Sequence, residues 1–137
     1  MPTAASSVYS ADAGRLVPLF PKDARRISVQ LLASTTYLRG TVLGEVTATP
    51  GTYGAYLSTN TNGTANATLI LEYACTTDAS GNITSIGEWG QTRLNTSAFY
   101  MGDFRSQELS GLDANAILKL GARLVEGTNT IGILHLG

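Results

Sequence analysis

Residue types that support chemistry are scarce in this chain. Among its 137 residues there is one cysteine, Cys75, and one histidine, His135. A single cysteine excludes an intrachain disulfide, and these two residues alone provide no zinc-binding cluster. Cys75 lies within an apolar run, so we expect a buried and unreactive thiol. His135 stands between two leucines, and we expect it to be structural.

Charged residues are also few. They make up 14% of the chain, against the usual quarter, and nine basic and ten acidic side chains give a net charge of -1. No basic field is present to attract a nucleic acid, so we expect no nucleic-acid partner. Apolar residues make up 43%. This weakly charged composition is typical of proteins that use part of their surface in assembly.

Long apolar runs are absent as well. No stretch approaches the roughly 20 apolar residues that a membrane-spanning helix needs, so we expect no membrane partner. The first residues do not show a charged region followed by an apolar one, and we therefore expect no signal peptide.

Candidate catalytic groups are not concentrated in any motif. Asp103 and Glu108 are the acidic pair considered for acid–base work, but they straddle a strand-to-loop region without a specific spacing. The glycines of "GTYGAY" are not followed by the lysine and hydroxyl residue of a phosphate-binding loop. We therefore predict a structural or binding module, with no enzymatic activity, cofactor or metal.

What the sequence does contain is β-strand alternation. In "LRGTVLGEVT" (38–47) one residue in two is apolar, which predicts a half-buried strand. The face predicted to be buried comprises Leu38, Gly40, Val42, Gly44 and Val46. The two glycines on it are unexpected, because glycine weakens a strand and leaves nothing to pack.

Similar patterns predict further strands. "TYGAYLS" (52–58) is predicted to return beside 42–48, with Tyr53 and Tyr56 on opposite faces. The other predicted strands are "ISVQLLAS" (27–34), "ATLILEYACT" (67–76), "ITSIGEWGQTRL" (83–94), "AFYMGDFRSQ" (98–107) and "NTIGILHL" (129–136).

One helix is predicted, with a sequence signal at each of its ends. Asp113 is a good N-cap, and Leu112 before it is placed to pack on Ile117. Gly121 is a C-terminal stop, with Ile117 and Leu118 on the same face as the glycine. The chain is thus predicted to be mainly β with one or two short helices.

The N-terminal segment differs from the rest. We divide the chain into an extended arm, 1–26, and a single mainly-β domain, 27–137. Pro18 and Pro21 exclude a regular helix and a central strand from the arm. The arm carries apolar residues for which the sequence suggests no partner within the chain, namely Val8, Leu16, Val17, Leu19 and Phe20. An arm of this kind binds a neighbour by joining a sheet edge or lying in a groove.

Four stretches in order resemble a known family. They are "LRGTVLGEVTATPGTYGAYLS", a strand "TLILEYACTTDASGN" that runs into an acidic loop, a glycine-containing "YMGDFRSQ", and the short helix of "ELSGLDANAILKLGARLVEG". Their order and spacing, from Tyr37 to Gly127, are similar to those of the lambda-type bacteriophage head decoration proteins. The arm before Ile27 carries no motif of that family.

The resemblance implies a compact, β-tulip-like subunit that forms homotrimers. Such trimers bind the major capsid protein at three-fold and quasi-three-fold sites of the expanded head and stabilise the shell against internal DNA pressure. The protein would be made in the host cytoplasm and lie on the outer surface of the virion, with the arm as its capsid-binding part. Gly40 and Gly44 would then admit a backbone or a ring at a tightly curved core or a trimer axis, with Tyr53, Tyr56 and Phe99 as candidates.

A small β carbohydrate-binding module is the alternative. It is suggested by the turn and strand of "RGTVLG", by Trp89 between two glycines, and by the loops rich in asparagine and threonine. An aromatic side chain such as Trp89 can stack on a sugar ring.

Overall fold

Strands form most of the regular structure. The computed structural model describes residues 14–86, 93–121, 123–125 and 130–134. One α-helix, α1, spans Ala114–Leu120, and single 3-10 turns occupy Pro21–Asp23 and Ser106–Glu108. The strands are β1 (Arg25–Leu31), β2 (Thr36–Tyr37), β3 (Val42–Glu45), β4 (Thr52–Ala55), β5 (Ala67–Leu71), β6 (Cys75–Thr77), β7 (Ile83–Ile86), β8 (Thr96–Arg105), β9 (Arg123–Val125) and β10 (Thr130–Leu134). The chain is therefore mainly β with short helical pieces, as predicted.

Five of the strands close into a ring. They pair in the order β1-β4-β3-β5-β8, and β8 pairs back with β1. The β1–β4 pairing is parallel, whereas the other pairings in the ring are antiparallel. Strands β10 and β9 extend the sheet from β8, and β2, β6 and β7 form a second, three-stranded sheet. Closure leaves fewer free strand edges than an open sheet would.

Two apolar clusters cover the two faces of the large sheet. Neighbouring residues of β3 and β5 serve different clusters: Val42 and Ile70 belong to one, Leu43 and Leu69 to the other. The first cluster includes residues of α1 and of the segment before β1. The second includes residues of the three-stranded sheet. Both faces of the central strands are therefore buried.

This two-sided burial corrects the predicted phase of "LRGTVLGEVT". Leu43 and Thr41, predicted to face solvent, are buried, whereas Leu38 is 63% exposed. The residues that are buried as predicted are Gly40, Val42, Gly44 and Val46. Alternation predicts one solvent-exposed face, but this strand is covered on both sides and has no such face.

Several predicted boundaries also differ. The stretch 67–76 forms two strands, because residues 72–74 leave the ladder between β5 and β6. Strand β1 begins at Arg25, inside the predicted arm. Pro21, predicted to exclude a helix, begins a 3-10 turn, since proline fits the first position of a helical turn. Tyr53 and Tyr56 pack against different clusters, which confirms their opposite faces.

The helix has the predicted ends. Asp113 is the N-cap, with its Oδ1 accepting from the Ala116 N–H at 2.7 Å and from the Tyr56 hydroxyl at 2.8 Å. Gly121 ends the helix with a left-handed backbone, φ 67°. Its buried residues are Ala116 and Leu120, one turn apart. Leu118, predicted to share a face with Ile117 and Gly121, is 79% exposed, whereas Ile117 packs against the first apolar cluster.

Cys75 is buried, as predicted. Burial raises the pKa of its thiol to about 11, because the charged thiolate is poorly solvated there. The thiol therefore stays protonated at neutral pH and is a poor nucleophile. Within the described residues, no helix is long and apolar enough to cross a membrane.

The helix cap predicts a pH-dependent stability. Hydrogen bonds from the Ala116 N–H and the Tyr56 hydroxyl hold the pKa of Asp113 below its usual value in the folded state. The resulting stabilisation is present above the pKa of the unfolded chain and is lost as the pH falls through the lowered folded pKa. We expect Asp113→Ala to lower the urea midpoint of unfolding at neutral pH. The difference in midpoint between the variant and the wild type should become smaller in acid. A difference in urea midpoint that does not change with pH would contradict a role for the charged carboxylate.

Candidate binding surface

Residues 14–20, the docked segment, lie against the body of the domain. The Leu16 N–H donates to the Glu72 carbonyl at 2.7 Å, and the Ala74 N–H donates to the Gly14 carbonyl at 2.9 Å. The segment thus uses the backbone groups that the break between β5 and β6 leaves available. It runs antiparallel to the chain at that break.

A buried carboxylate fastens this segment. Glu72 is 1% exposed. Arg15 Nε donates to its Oε2 at 2.9 Å, and Arg26 Nε donates to its Oε1 at 3.0 Å. The Ser97 hydroxyl donates to Oε1 at 2.6 Å. We call these four side chains the Glu72 cluster; they join the docked segment, β1, β8 and the end of β5.

The two guanidinium groups of the cluster also lie over aromatic rings. Arg26 is 4.7 Å from the centre of the Phe99 ring, and Arg15 is 5.7 Å from that of Tyr73. A cation over an aromatic face is attracted by the ring's negative quadrupole. Each arginine is therefore held from two sides, by a carboxylate and by a ring.

The five predicted arm residues have different environments. Leu16 is fully buried, so the prediction that it lacks a partner within the chain is wrong. Leu19 is half-buried and donates its N–H to a carbonyl of β8. Val17 and Phe20 are 47% and 57% exposed. Val8 lies outside the described residues.

The predicted boundary at residue 26 is also corrected by these contacts. Arg25 and Arg26 are part of β1 and pair with β8. Residues 14–20 pack on the domain, with Leu16 in the same apolar cluster as residues of α1. Exposed apolar surface on this segment is therefore confined to particular side chains and is not spread along an extended arm.

The two candidate close-packing glycines both lie against backbone. A Cβ at Gly40, where φ is +75°, would collide with the Glu108 carbonyl oxygen. A Cβ at Gly44 would lie 2.6 Å from the Thr64 carbonyl oxygen and 2.7 Å from that of Asn66. The nearest atoms belong to loops of the same chain and not to the aromatic rings considered from sequence. The glycines let these loops close over the sheet.

The acidic pair considered for catalysis occupies two different elements. Asp103 lies on β8 and Glu108 in the 3-10 turn after it. Within the described residues, no group of three or more histidine, cysteine, aspartate or glutamate side chains is placed to hold a metal ion. His135 and Trp89 lie outside those residues.

Sequence reasoning missed Glu72. A signal for it exists, because it is the one charged residue in the apolar run "LILEYAC" (69–75). A carboxylate is rarely buried without cationic partners. Its position in this run therefore indicates that arginines from elsewhere in the chain meet it.

Comparison of the chain with models of protein families, with curated proteins and with solved structures finds no match. The residues and contacts described above are therefore the grounds for a functional proposal.

The Glu72 cluster predicts that Arg15 holds the docked segment. We expect Arg15→Met to weaken local protection by about 1 kcal/mol, because Arg15 is half-exposed and Glu72 keeps its two other partners. Hydrogen exchange of the Leu16 amide should then be about fivefold faster. Arg25→Met, which removes the same charge from an exposed residue of β1, is the control. Equal exchange at Leu16 in both variants would contradict the anchoring role.

Gly44 and its cross-strand partner Gly54 provide a matched test of close packing. We expect Gly44→Ala to destabilise the fold by about 1–3 kcal/mol, because the new methyl would meet backbone that cannot move cheaply. At Gly54 the nearest atom is the flexible Leu32 Cδ1, so Gly54→Ala should cost less. Urea denaturation of both variants gives their free energies of unfolding. A larger loss of stability for Gly54→Ala than for Gly44→Ala would overturn this interpretation.

Proposed function

We propose that the chain is a bacteriophage head decoration protein. It binds as a homotrimer, with a β-tulip-like subunit, to the major capsid protein at three-fold and quasi-three-fold sites of the expanded head. There it stabilises the shell from the outer surface. The binding is non-covalent, and several weak contacts per trimer together give a long-lived complex by multivalency.

One observation carries the proposal. The stretches that resemble the decoration family supply β3, β4, β5 and β8, which are four of the five ring strands. The resemblance therefore involves the strands that organise the fold, and its last stretch supplies α1. A resemblance confined to loops would support a shared function far less.

The surface supports an assembly role. Large apolar side chains that are at least half exposed occur on several elements, namely Phe20, Leu38, Leu57, Leu94 and Leu118. Single exposed apolar residues are ordinary, but here they accompany a chain in which only 14% of residues are charged. Apolar side chains in a weakly charged surface suit contacts with other subunits.

The docked segment is the proposed capsid-facing part. Its buried contacts leave Val17 and Phe20, which are separated in sequence by Pro18 and Leu19, at the surface. Burying a fully exposed phenylalanine contributes about 1.5–3 kcal/mol, and Phe20, which is 57% exposed, has roughly half of that to gain. Repeated in each subunit of a trimer, that contribution would be large.

The test uses heads assembled from the major capsid protein encoded in the same genome. The full chain should co-sediment saturably with expanded heads and not with unexpanded ones. Phe20→Ser should weaken this binding at least about tenfold, because the burial lost in the three subunits of a trimer sums to about 1.5 kcal/mol or more. Leu57→Ser, at a residue that is exposed to a similar degree but follows β4, is the control.

Two outcomes would count against the proposal in different ways. If the wild-type chain fails to bind expanded heads, the decoration function itself is wrong. If the wild type binds and Phe20→Ser binds equally well, the function stands and the docked segment is not the capsid-facing part.

A further inference from the structure

The loop between β4 and β5 contains Asn62 and Gly63, the only asparagine–glycine pair in the sequence. In such a pair the backbone nitrogen of the glycine can attack the side-chain carbonyl carbon of the asparagine, Cγ, because glycine has no side chain that blocks the approach. The product is a five-membered succinimide ring. Asn62 is exposed, so water can reach this ring and open it.

The Asn62 side chain is folded back over the residues that follow it. Its Oδ1 accepts from the Thr64 N–H at 3.2 Å and from the Thr64 hydroxyl at 2.6 Å. The ring of atoms closed by the first of these hydrogen bonds contains both Asn62 Cγ and the Gly63 nitrogen, so the two reacting atoms are held on the same side of the chain. Within the described residues the Gly63 N–H has no acceptor, so no hydrogen bond has to break before it reacts.

A chain of hydrogen bonds polarises the Asn62 side-chain carbonyl. The Asn60 side-chain amide donates to the Thr64 hydroxyl at 2.7 Å, and that hydroxyl donates in turn to Asn62 Oδ1. Each bond in such a chain strengthens the next. Thr64 is 1% exposed, so its two donors are fixed in place before any reaction. When the Gly63 nitrogen attacks Cγ, negative charge develops on Oδ1, and both donors already point at that oxygen, as in an oxyanion hole.

We propose that the folded loop promotes its own deamidation at Asn62. The Gly63 nitrogen gives up its proton to solvent and bonds to Asn62 Cγ, the Cγ–Nδ2 bond breaks, and the amide group leaves as ammonia. One water molecule then opens the succinimide at either of its two carbonyl carbons and leaves aspartate or isoaspartate. Thr64 supplies the two donors, and Asn60 positions the Thr64 hydroxyl. The reaction does not depend on the proposed capsid function and can be followed on the isolated chain.

The product changes the packing of the loop on β3. Isoaspartate adds one carbon to the main chain before Gly63, where a Cβ would already lie only 2.5 Å from the Glu45 carbonyl oxygen. The Asn62 carbonyl, which accepts from the Thr47 N–H at 2.9 Å, becomes a carboxylate. Either product adds one negative charge to a chain whose net charge is -1. The modification therefore displaces Gly63 against β3 and marks the molecule with a charge that ion exchange can detect.

The test compares the folded and the denatured chain in a mildly alkaline buffer, with peptide mapping by mass spectrometry at intervals. Denaturation is by guanidinium chloride, and the folded sample contains sodium chloride at the same concentration. We expect Asn62 to lose its amide faster in the folded chain. Asn66, which is exposed in the same loop but precedes alanine, should keep its amide in both samples. If Asn62 reacts equally fast or more slowly in the folded chain, the structure does not promote the reaction and the proposal is wrong.

Variants of the two donor residues test the hydrogen-bond chain. Thr64→Val removes the hydroxyl and keeps the bulk, so the rate in the folded chain should fall about tenfold, as for one lost hydrogen bond to a developing charge. Thr64→Ser, which keeps the hydroxyl, should react like the wild type. Asn60→Ala should give a smaller fall, and it carries the test if circular dichroism shows that Thr64→Val does not fold. A folded variant lacking either donor that reacts as fast as the wild type, or faster, would contradict the proposal.

Discussion

The buried Glu72 carboxylate is the interaction on which the arrangement of the N-terminal half depends. Removing a carboxylate from water costs several kcal/mol, and only close cationic partners and hydrogen bonds offset that cost. Those partners are Arg15, Arg26 and Ser97, which come from three separate parts of the chain. Their positions are therefore mutually constrained. The docked segment, β1 and β8 have to meet at the end of β5, or the carboxylate is left unpaired.

The same junction explains the break in the longest apolar run. At residues 72–74 the chain leaves the ladder, so its backbone groups are free to bond the docked segment and β8. A continuous strand over 67–76 would use those groups in its own sheet. By breaking there, the chain passes from the closed ring to the three-stranded sheet, and the second apolar cluster forms between them.

Local features of this fold could be predicted from the sequence, whereas features that depend on distant neighbours could not. The helix was located because Asp113 and Gly121 act within a few residues of it. The phase of β3 was half wrong, because alternation does not show that a second layer covers the other face, as it does over Leu43. The sequence suggests no partner for Leu16, because the residue that binds its backbone, Glu72, lies far along the chain.

The packing of Leu16 on the domain also lowers the entropic cost of the proposed binding. An unanchored arm would lose roughly 1–2 kcal/mol of conformational free energy for each backbone residue fixed on docking. Here residues 14–20 are already ordered by the Leu16 and Leu19 amides and by the Arg15–Glu72 pair. Val17 and Phe20 are thus presented in one position before any partner arrives. Ordering within the subunit reduces the entropy lost on association, so two exposed apolar side chains per subunit can contribute most of their burial energy to binding.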